Sequence, residues 1–175
     1  MRKRRGGSLH DKLAEAGAQL CVETLDALKA GTVTPEKQGD SPTAYAKMLD
    51  KHMGKIDWKM SAKEIERLIR GLNPWPSAYT RWNENDKGMK IWEAEVAEGQ
   101  TGKAAGTVVE VAKDGFFVQT GDGLLKITAL QIPGKKRMDA AAFLRGYQME
   151  QERFFNFKEE LLCIIQCFMI QHISL

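Results

Sequence analysis

Cysteine is scarce in this sequence, with three in 175 residues. Cys21 stands in a helical pattern, and Cys163 and Cys167 lie four positions apart in an apolar segment. Neither a second ligand pair nor a histidine at zinc spacing accompanies them, so the pattern excludes a disulfide framework and predicts no metal site. So few cysteines are typical of a reducing compartment, and we expect a cytoplasmic location.

Long hydrophobic runs are absent as well. A helix needs about 20 apolar residues to cross a bilayer, whereas the apolar segment 161–175 has fifteen residues and is interrupted by Gln166, Gln171 and His172. The basic start, MRKRR, is not followed by the apolar stretch of a signal peptide. We therefore expect no membrane partner and no secretion signal.

Neither sign of charge is in large excess. No internal repeat is visible. The net charge is +3, and 43% hydrophobic with 28% charged residues is ordinary for a globular domain. The distribution is uneven: 47–90 has ten Lys and Arg against six Asp and Glu, 126–146 has five against one, and 91–125 has two against six. The two basic segments form a polyanion-binding face if they converge, or separate solvated surfaces if they do not.

Two helices are predicted in the first half of the chain. The first begins with Ser8 as its cap and ends near Gly31; its apolar positions recur every three or four residues at Leu9, Leu13, Ala16 and Leu20. The segment 32–41 predicts a linker or an edge strand. The second helix begins at a capping box of Ser61 and Glu64, and its apolar face contains Ile65, Leu68, Ile69 and Leu72.

A tryptophan between two prolines follows the second helix. Pro74 ends that helix because it has no amide donor and disfavours helical geometry at Asn73. Trp75, held between Pro74 and Pro76, either seals the edge of a sheet core or offers a stacking surface for a nucleobase.

Short strand-like runs fill the following fifty residues. Asn, Asp and Gly residues that suit hairpin turns separate them. The predicted strands are 78–82, 89–96, 106–112, 116–120 and 124–130, followed by a helix over 139–145. Five short strands with flanking helices predict an α+β fold built on a small, closed or nearly closed OB-like barrel, with an SH3-like barrel as the alternative.

Six short motifs occur in an order and at spacings that resemble methionyl-tRNA formyltransferase. The resemblance runs from about Gly7 to Met149, and each motif is weak alone. They are SLHDKLA (8–14), TAYAK (43–47), IDW (56–58), NPWP (73–76), GDG (121–123) and GKKRM (134–138).

The resemblance implies a particular domain organisation. Residues 1–42 correspond to the end of a Rossmann-like catalytic lobe, leaving one helix and a connection, and 43–60 correspond to a linker. Residues 61–149 correspond to the OB-like C-terminal domain. The segment 150–175 departs from the family, and we interpret it as an apolar helix covering the fold or as the product of a frame disruption near Glu150.

The resemblance also implies a truncated enzyme without its own chemistry. The family transfers a formyl group from 10-formyltetrahydrofolate to methionyl-initiator tRNA, using Asn, His and Asp residues of the catalytic lobe. A base and an oxyanion donor are needed for that reaction, and His10, His52 and His172 have no such partners in the sequence. We assign no catalytic, cofactor-binding or metal-binding residue and expect the chain to be inactive alone.

The predicted ligand of the chain is tRNA. The lysines of 43–60 would lie on one face if that segment were helical, and the loop after the last predicted strand is basic. The predicted tRNA-binding residues are Lys47, Lys51, Lys55, Arg70, Lys135, Lys136 and Arg137. The predicted structural residues are Trp58, Asn73, Pro74, Trp75 and Pro76.

Two alternatives remain open. The chain could be a fragment of a sugar-nucleotide formyltransferase, although the Lys-Lys-Arg loop favours tRNA, or a non-catalytic remnant with no ligand. The apolar face of the first helix is also expected to promote association with other molecules.

Overall fold

The computed structural model describes residues 4–81, 88–153 and 155. A short 3₁₀ helix, Lys51–Gly54, precedes the sheet domain. The helices are α1 (Gly6–Lys29), α2 (Ala62–Gly71) and α3 (Ala140–Gly146). The strands are β1 (Ala78–Arg81), β2 (Gly88–Ala97), β3 (Val108–Ala112), β4 (Gly115–Gln119), β5 (Leu124–Gln131) and β6 (Met138–Asp139). The mixed helix and strand composition predicted from the sequence is confirmed.

Helix α1 begins two residues before its predicted cap. Arg5 is the N-cap residue, and Ser8 lies in the first turn, where its hydroxyl accepts a hydrogen bond from the Arg5 amide at 3.1 Å. The prediction of Ser8 as the cap is therefore wrong, because this serine bonds back to the preceding turn. No residue of α1 is buried, and its leucines remain exposed to solvent.

Helix α2 has the predicted capping box. The Glu64 amide donates to the Ser61 hydroxyl at 3.3 Å, and the Ser61 amide donates to the Glu64 carboxylate at 3.0 Å. These bonds satisfy main-chain donors that the first turn of a helix leaves without partners. Ile65 and Ile69 are buried, so α2 packs its apolar face on the sheet.

The sheet is antiparallel and has β5 at its centre. The strand order is β1-β2-β5-β4-β3, and the short β6 pairs with the end of β5 on the edge opposite β2. The sequence predicted five of these strands, and it missed β6 because two residues carry no readable alternation. Trp82 and most of the predicted turn after it, 83–87, lie outside the described residues.

The predicted closed or nearly closed OB-like barrel is not closed, because the sheet is open across the described part of the chain. Strands β1 and β3 stand at opposite ends of the strand order and pair with other segments instead of each other. The Ile56 amide donates to Tyr79 in β1 at 2.9 Å. Beside β3, the Val108 amide donates to Arg153 and the Glu152 amide donates to Val108, each at 2.8 Å. These hydrogen bonds pair main-chain groups of the two edge strands with flanking segments. In a closed barrel, the edge strands would pair with each other instead.

The core lies between α2, α3 and one face of the sheet. Trp58 and Phe155 stack with ring centroids 6.1 Å apart, and Phe116 contacts both Phe155 and Phe143. Phe155 is 1% exposed, so the chain packs into the core as far as this residue. The rest of the predicted apolar tail, from 156 onward, lies outside the described residues.

Candidate nucleic-acid interface

The basic loop between β5 and β6 is held from the sheet side. Its turn places Gly134 at φ 76°, in the left-handed region that glycine adopts without steric cost. The Gln131 amide group donates to the Lys135 carbonyl at 2.8 Å and accepts from the Trp92 indole at 3.2 Å. Lys135 and Lys136 are exposed. The loop therefore presents its two lysines to solvent from a fixed base.

Arg137, at the end of this loop, belongs to a cluster of charged side chains. Its guanidinium binds the Glu93 carboxylate and lies 5.3 Å from the centre of the Trp92 ring. Arg5, just before α1, binds the same carboxylate oxygen of Glu93. We call Arg5, Trp92, Glu93 and Arg137 the Glu93 cluster. A single carboxylate thus joins the start of α1 to the basic loop.

Arg70 is also engaged by groups within the chain. Its guanidinium donates to Glu66 at 2.8 Å and to the main-chain carbonyl of Arg4 at 2.9 Å. The Glu66 side chain is 7% exposed, so this ion pair is partly shielded from water and is screened less by salt than a surface pair. Arg70 lines a cavity of about 260 Å³ together with three members of the Glu93 cluster, Arg5, Trp92 and Glu93. The structure thus places Arg70 on the same cavity as Glu93, the carboxylate that binds Arg137.

The three predicted lysines of the linker are exposed, but no α-helix stacks them. Lys47 lies in a segment without regular secondary structure, and Lys51 begins the 3₁₀ helix. The Asp50 carboxylate caps that helix by accepting from the His52 amide at 2.7 Å. Lys55 follows it and pairs by a main-chain bridge with Tyr79. A spacing of four residues suits an α-helix, and a 3₁₀ turn with three residues per turn does not align it.

The predicted structural residues differ in their burial. Trp58 is 2% exposed and donates its indole N–H to the Thr80 hydroxyl at 2.9 Å. Trp75 is 54% exposed and lies outside the buried core. Asn73 is buried and donates to the Trp92 carbonyl at 3.3 Å. The peptide bonds of both Pro74 and Pro76 are cis.

A second cleft, of about 360 Å³, opens beside Trp75, and we call it the Trp75 cleft. The first turn of α1 forms one wall, and the turn after α2 forms the other. Its lining includes Gly6, Gly7, His10, Asp11, Leu49 and Trp75. Lys47 and Lys51 stand two positions to either side of Leu49 in the chain. The linker segment that carries these two lysines therefore contributes one residue, Leu49, to the cleft.

Sequence reasoning missed the Glu93 cluster. Glu93 was counted only as part of an acidic segment, and Arg5 as part of a basic start. The β2 strand is irregular here, since its register with β5 shifts on both sides of Glu93. A bulge re-aims side chains in a way that simple alternation does not show. The sequence carries no local signal for these contacts, because Arg5 and Arg137 lie 88 and 44 residues from Glu93.

Two features of the described residues concern metals and membranes. They contain no group of three or more His, Cys, Asp or Glu residues that could hold a metal ion. Among them we also find no helix with the length and apolar character required to span a bilayer.

Known proteins resemble this chain over most of its length. Residues 48–148 match the family described as the formyl transferase C-terminal domain. The methionyl-tRNA formyltransferase of Lachnospira eligens is 52% identical over 153 residues, which are 85% of this chain and 48% of that protein. That of Clostridium novyi is 47% identical over 146 residues, which are 83% and 47%. The chain thus spans about half the length of these curated relatives.

The fold also occurs in more distant solved structures. A variant of HypX from Aquifex aeolicus superimposes with a TM-score of 0.57 at 20% identity, covering 91% of this chain and 31% of HypX. HypX in complex with tetrahydrofolic acid gives 0.56 at 19% identity, covering 91% and 30%. At this identity the likeness concerns the fold alone. The match over 48–148 is the stronger finding, and by it the chain belongs to the formyl transferase C-terminal domain family.

Proposed function

We propose that this chain is the tRNA-holding C-terminal part of a methionyl-tRNA formyltransferase. The observation that carries the proposal is 52% identity to an enzyme whose name states methionyl-tRNA as its substrate. The exposed lysines of the linker and of the loop after β5 support it, because lysines contact phosphates as point charges. Such a surface binds the RNA backbone with little preference for sequence, in the cytoplasm where translation takes place.

The lysines and the arginines take different roles in this proposal. Arg70 and Arg137 are each bound to a carboxylate, so their guanidinium groups hold the surface in shape. Lys135 and Lys136 project from the loop that Arg137 anchors. Because they are exposed, we assign the phosphate contacts to the lysines Lys47, Lys51, Lys55, Lys135 and Lys136, and the arginines are positioning residues.

A chain of contacts supports convergence of the two basic segments. The loop reaches Glu93 through Arg137, and Glu93 binds Arg5. Arg5 directly precedes Gly6, which lines the Trp75 cleft together with Leu49 of the linker. The two segments thus border one continuous surface in this proposal, and that surface runs across the first turn of α1.

Formyl transfer requires groups that we do not assign to this chain. His10 is exposed, with its imidazole 3.6 Å from the neighbouring Asp11 carboxylate, and His52 is exposed in the 3₁₀ helix. His172 lies outside the described residues. We therefore assign no residue here to 10-formyltetrahydrofolate, and we expect the chain alone to leave methionyl-tRNA unformylated.

Titration with tRNA at several salt concentrations tests the binding proposal. If the five lysines engage the backbone, log affinity falls with log salt at a slope between about 3.5 and 4.5. The double variant Lys135→Ala/Lys136→Ala should lower that slope by about 1.4 to 1.8. Initiator and elongator tRNA should bind alike.

A matched control removes two lysines elsewhere. Lys29 lies at the far end of α1, and Lys113 lies in the turn between β3 and β4. The variant Lys29→Ala/Lys113→Ala carries the same change in net charge and should keep the slope of the unaltered protein. Equal loss in both variants would indicate a diffuse charge effect. No binding at low salt would favour a remnant without a ligand.

A further inference from the structure

The Trp75 cleft contains an aromatic surface that the lysine contacts leave unused. Trp75 is 54% exposed, although burial of a side chain as large as tryptophan is strongly favourable. The fold can bury a tryptophan, since Trp58 in the same domain is 2% exposed. At about 360 Å³, the cleft lies at the lower end of the roughly 300–1,000 Å³ typical of small-molecule sites.

The walls of the Trp75 cleft are held together by close backbone contacts. The Gly7 amide donates to the Asn73 carbonyl at 2.9 Å, which ties α1 to the turn. A Cβ on Gly6 would lie 2.2 Å from the Gly71 carbonyl oxygen, and one on Gly7 would lie 2.8 Å from the Pro74 ring. Only glycines permit this approach.

The tryptophan itself is fixed from its own side of the cleft. Pro74 and Pro76 flank it, and the Ser77 hydroxyl donates to the Pro74 carbonyl at 2.7 Å. A platform whose backbone is already ordered loses little conformational entropy when a ligand stacks on it. Trp75 is therefore suited to bind a flat ring.

The surroundings indicate what kind of ring. Leu49 of the cleft lining lies two positions along the chain from both Lys47 and Lys51, and these exposed lysines are near enough in sequence to supply positive charge for a phosphate attached to the ring. His10 and Asp11 on the opposite wall offer polar groups for the edge of the ring. An apolar floor, a stacking face and nearby cations are the combination that single-stranded nucleic acids use.

We propose that the Trp75 cleft binds one unpaired nucleobase of RNA, stacked on Trp75, while the linker lysines contact its phosphate. This inference rests on the proposed tRNA binding and adds a preference for single-stranded segments. A duplex keeps its bases stacked inside the helix and cannot offer one to the cleft.

The test compares a single-stranded RNA dodecamer, its duplex and an abasic version with the same phosphates, measured by fluorescence anisotropy. Stacking is worth about 1–3 kcal/mol per base, so Trp75→Ala should weaken single-strand binding by about 5- to 150-fold. Duplex binding should change less than about twofold. Trp75→Phe should retain single-strand affinity within a few fold because it keeps an aromatic face.

The abasic RNA provides a readout that does not depend on how any variant folds. The unaltered protein should bind it more weakly than the normal single strand, by a factor similar to that of Trp75→Ala. Trp75→Ala should bind both RNAs alike.

Three results would overturn the inference. They are equal binding of normal and abasic strands by the unaltered protein, an unchanged affinity in Trp75→Ala, or an equal loss for single strands and duplex. In each case the proposed backbone binding would stand if the lysine variants behave as expected. Failure of the unaltered protein to bind any of the RNAs would reject both proposals.

Discussion

At the scale of single residues, residues of the same type occupy different environments in this fold. Trp58 is enclosed by the core and hydrogen-bonded to Thr80, whereas Trp75 is half exposed at a cleft. The sequence places both among the structural residues, Trp58 within the IDW motif and Trp75 between two prolines, and only the packing around them separates the two. Arginine shows the same effect, since Arg70 and Arg137 belong to a predicted RNA-binding set but each binds a carboxylate.

The buried bond between Trp58 and Thr80 gives a prediction at this scale. Trp58→Phe removes the donor and leaves the Thr80 hydroxyl buried without it, so the free energy of unfolding should fall by about 1–3 kcal/mol. Trp58→Phe/Thr80→Val should lose less than the sum of the single changes, because both polar partners are then absent. Urea denaturation of the four proteins measures the coupling. Strict additivity would show that the bond contributes no stability.

At the scale of elements, one helix cap and two turns were predicted correctly from the local sequence. The Ser61 and Glu64 box marked the start of α2, and the glycine-containing turns after Ala112 and Gln119 separated the strands where predicted. These signals act over three or four residues, so they do not depend on the rest of the fold. The Ser8 prediction failed because a serine near a helix start can bond forward as a cap or backward within the first turn.

The α2 capping box predicts a pH dependence. Hydrogen bonds from the Ser61 hydroxyl and amide hold the pKa of the Glu64 carboxyl below its ordinary value. Because the folded-state pKa is the lower one, the carboxylate stabilises the protein above its ordinary pKa. That contribution disappears as the pH falls through the folded-state pKa.

The variant Glu64→Gln keeps an acceptor but does not titrate. The stability difference between the unaltered protein and this variant should therefore shrink between about pH 7 and pH 3, when followed by thermal denaturation. Other acids shift both proteins together, since the pKa values of Asp114 and Glu152 are also lowered by their lysine partners. A difference that stays constant with pH would contradict the assigned role of Glu64.

At the scale of the whole molecule, the described chain consists of one packed domain with a helix that contributes nothing to its core. The core extends from Ile56 to Phe155, while every residue of α1 is at least partly exposed. Leu13 and Leu20 are each 63% exposed. Association through this apolar face was expected from the sequence, and it stays a prediction.

The isolation of α1 predicts unequal local stability. Beyond the first turn, its hydrogen bonds lack tertiary cover, so amides of 10–29 should exchange with solvent far faster than those of Ile65 and Ile69 in α2. Hydrogen exchange with mass spectrometry on the two segments measures the difference at minutes to hours. Equal protection at low concentration would contradict this prediction. Protection of α1 that increases with protein concentration would confirm association.

The sequence by itself determined the α+β class, the three α-helices, five of the six strands in the described residues and the family resemblance, because periodicity, caps and turns are short-range properties. Tertiary structure alone decided that the sheet stays open and that Phe155 enters the core. It also decided that Arg5 and Arg137 share Glu93 across separations of 88 and 44 residues. Such contacts depend on how distant segments are brought together and on one irregularity in β2. Local pattern carries no information about either. Which charged side chains are paired and which are exposed could therefore be determined only from the folded structure.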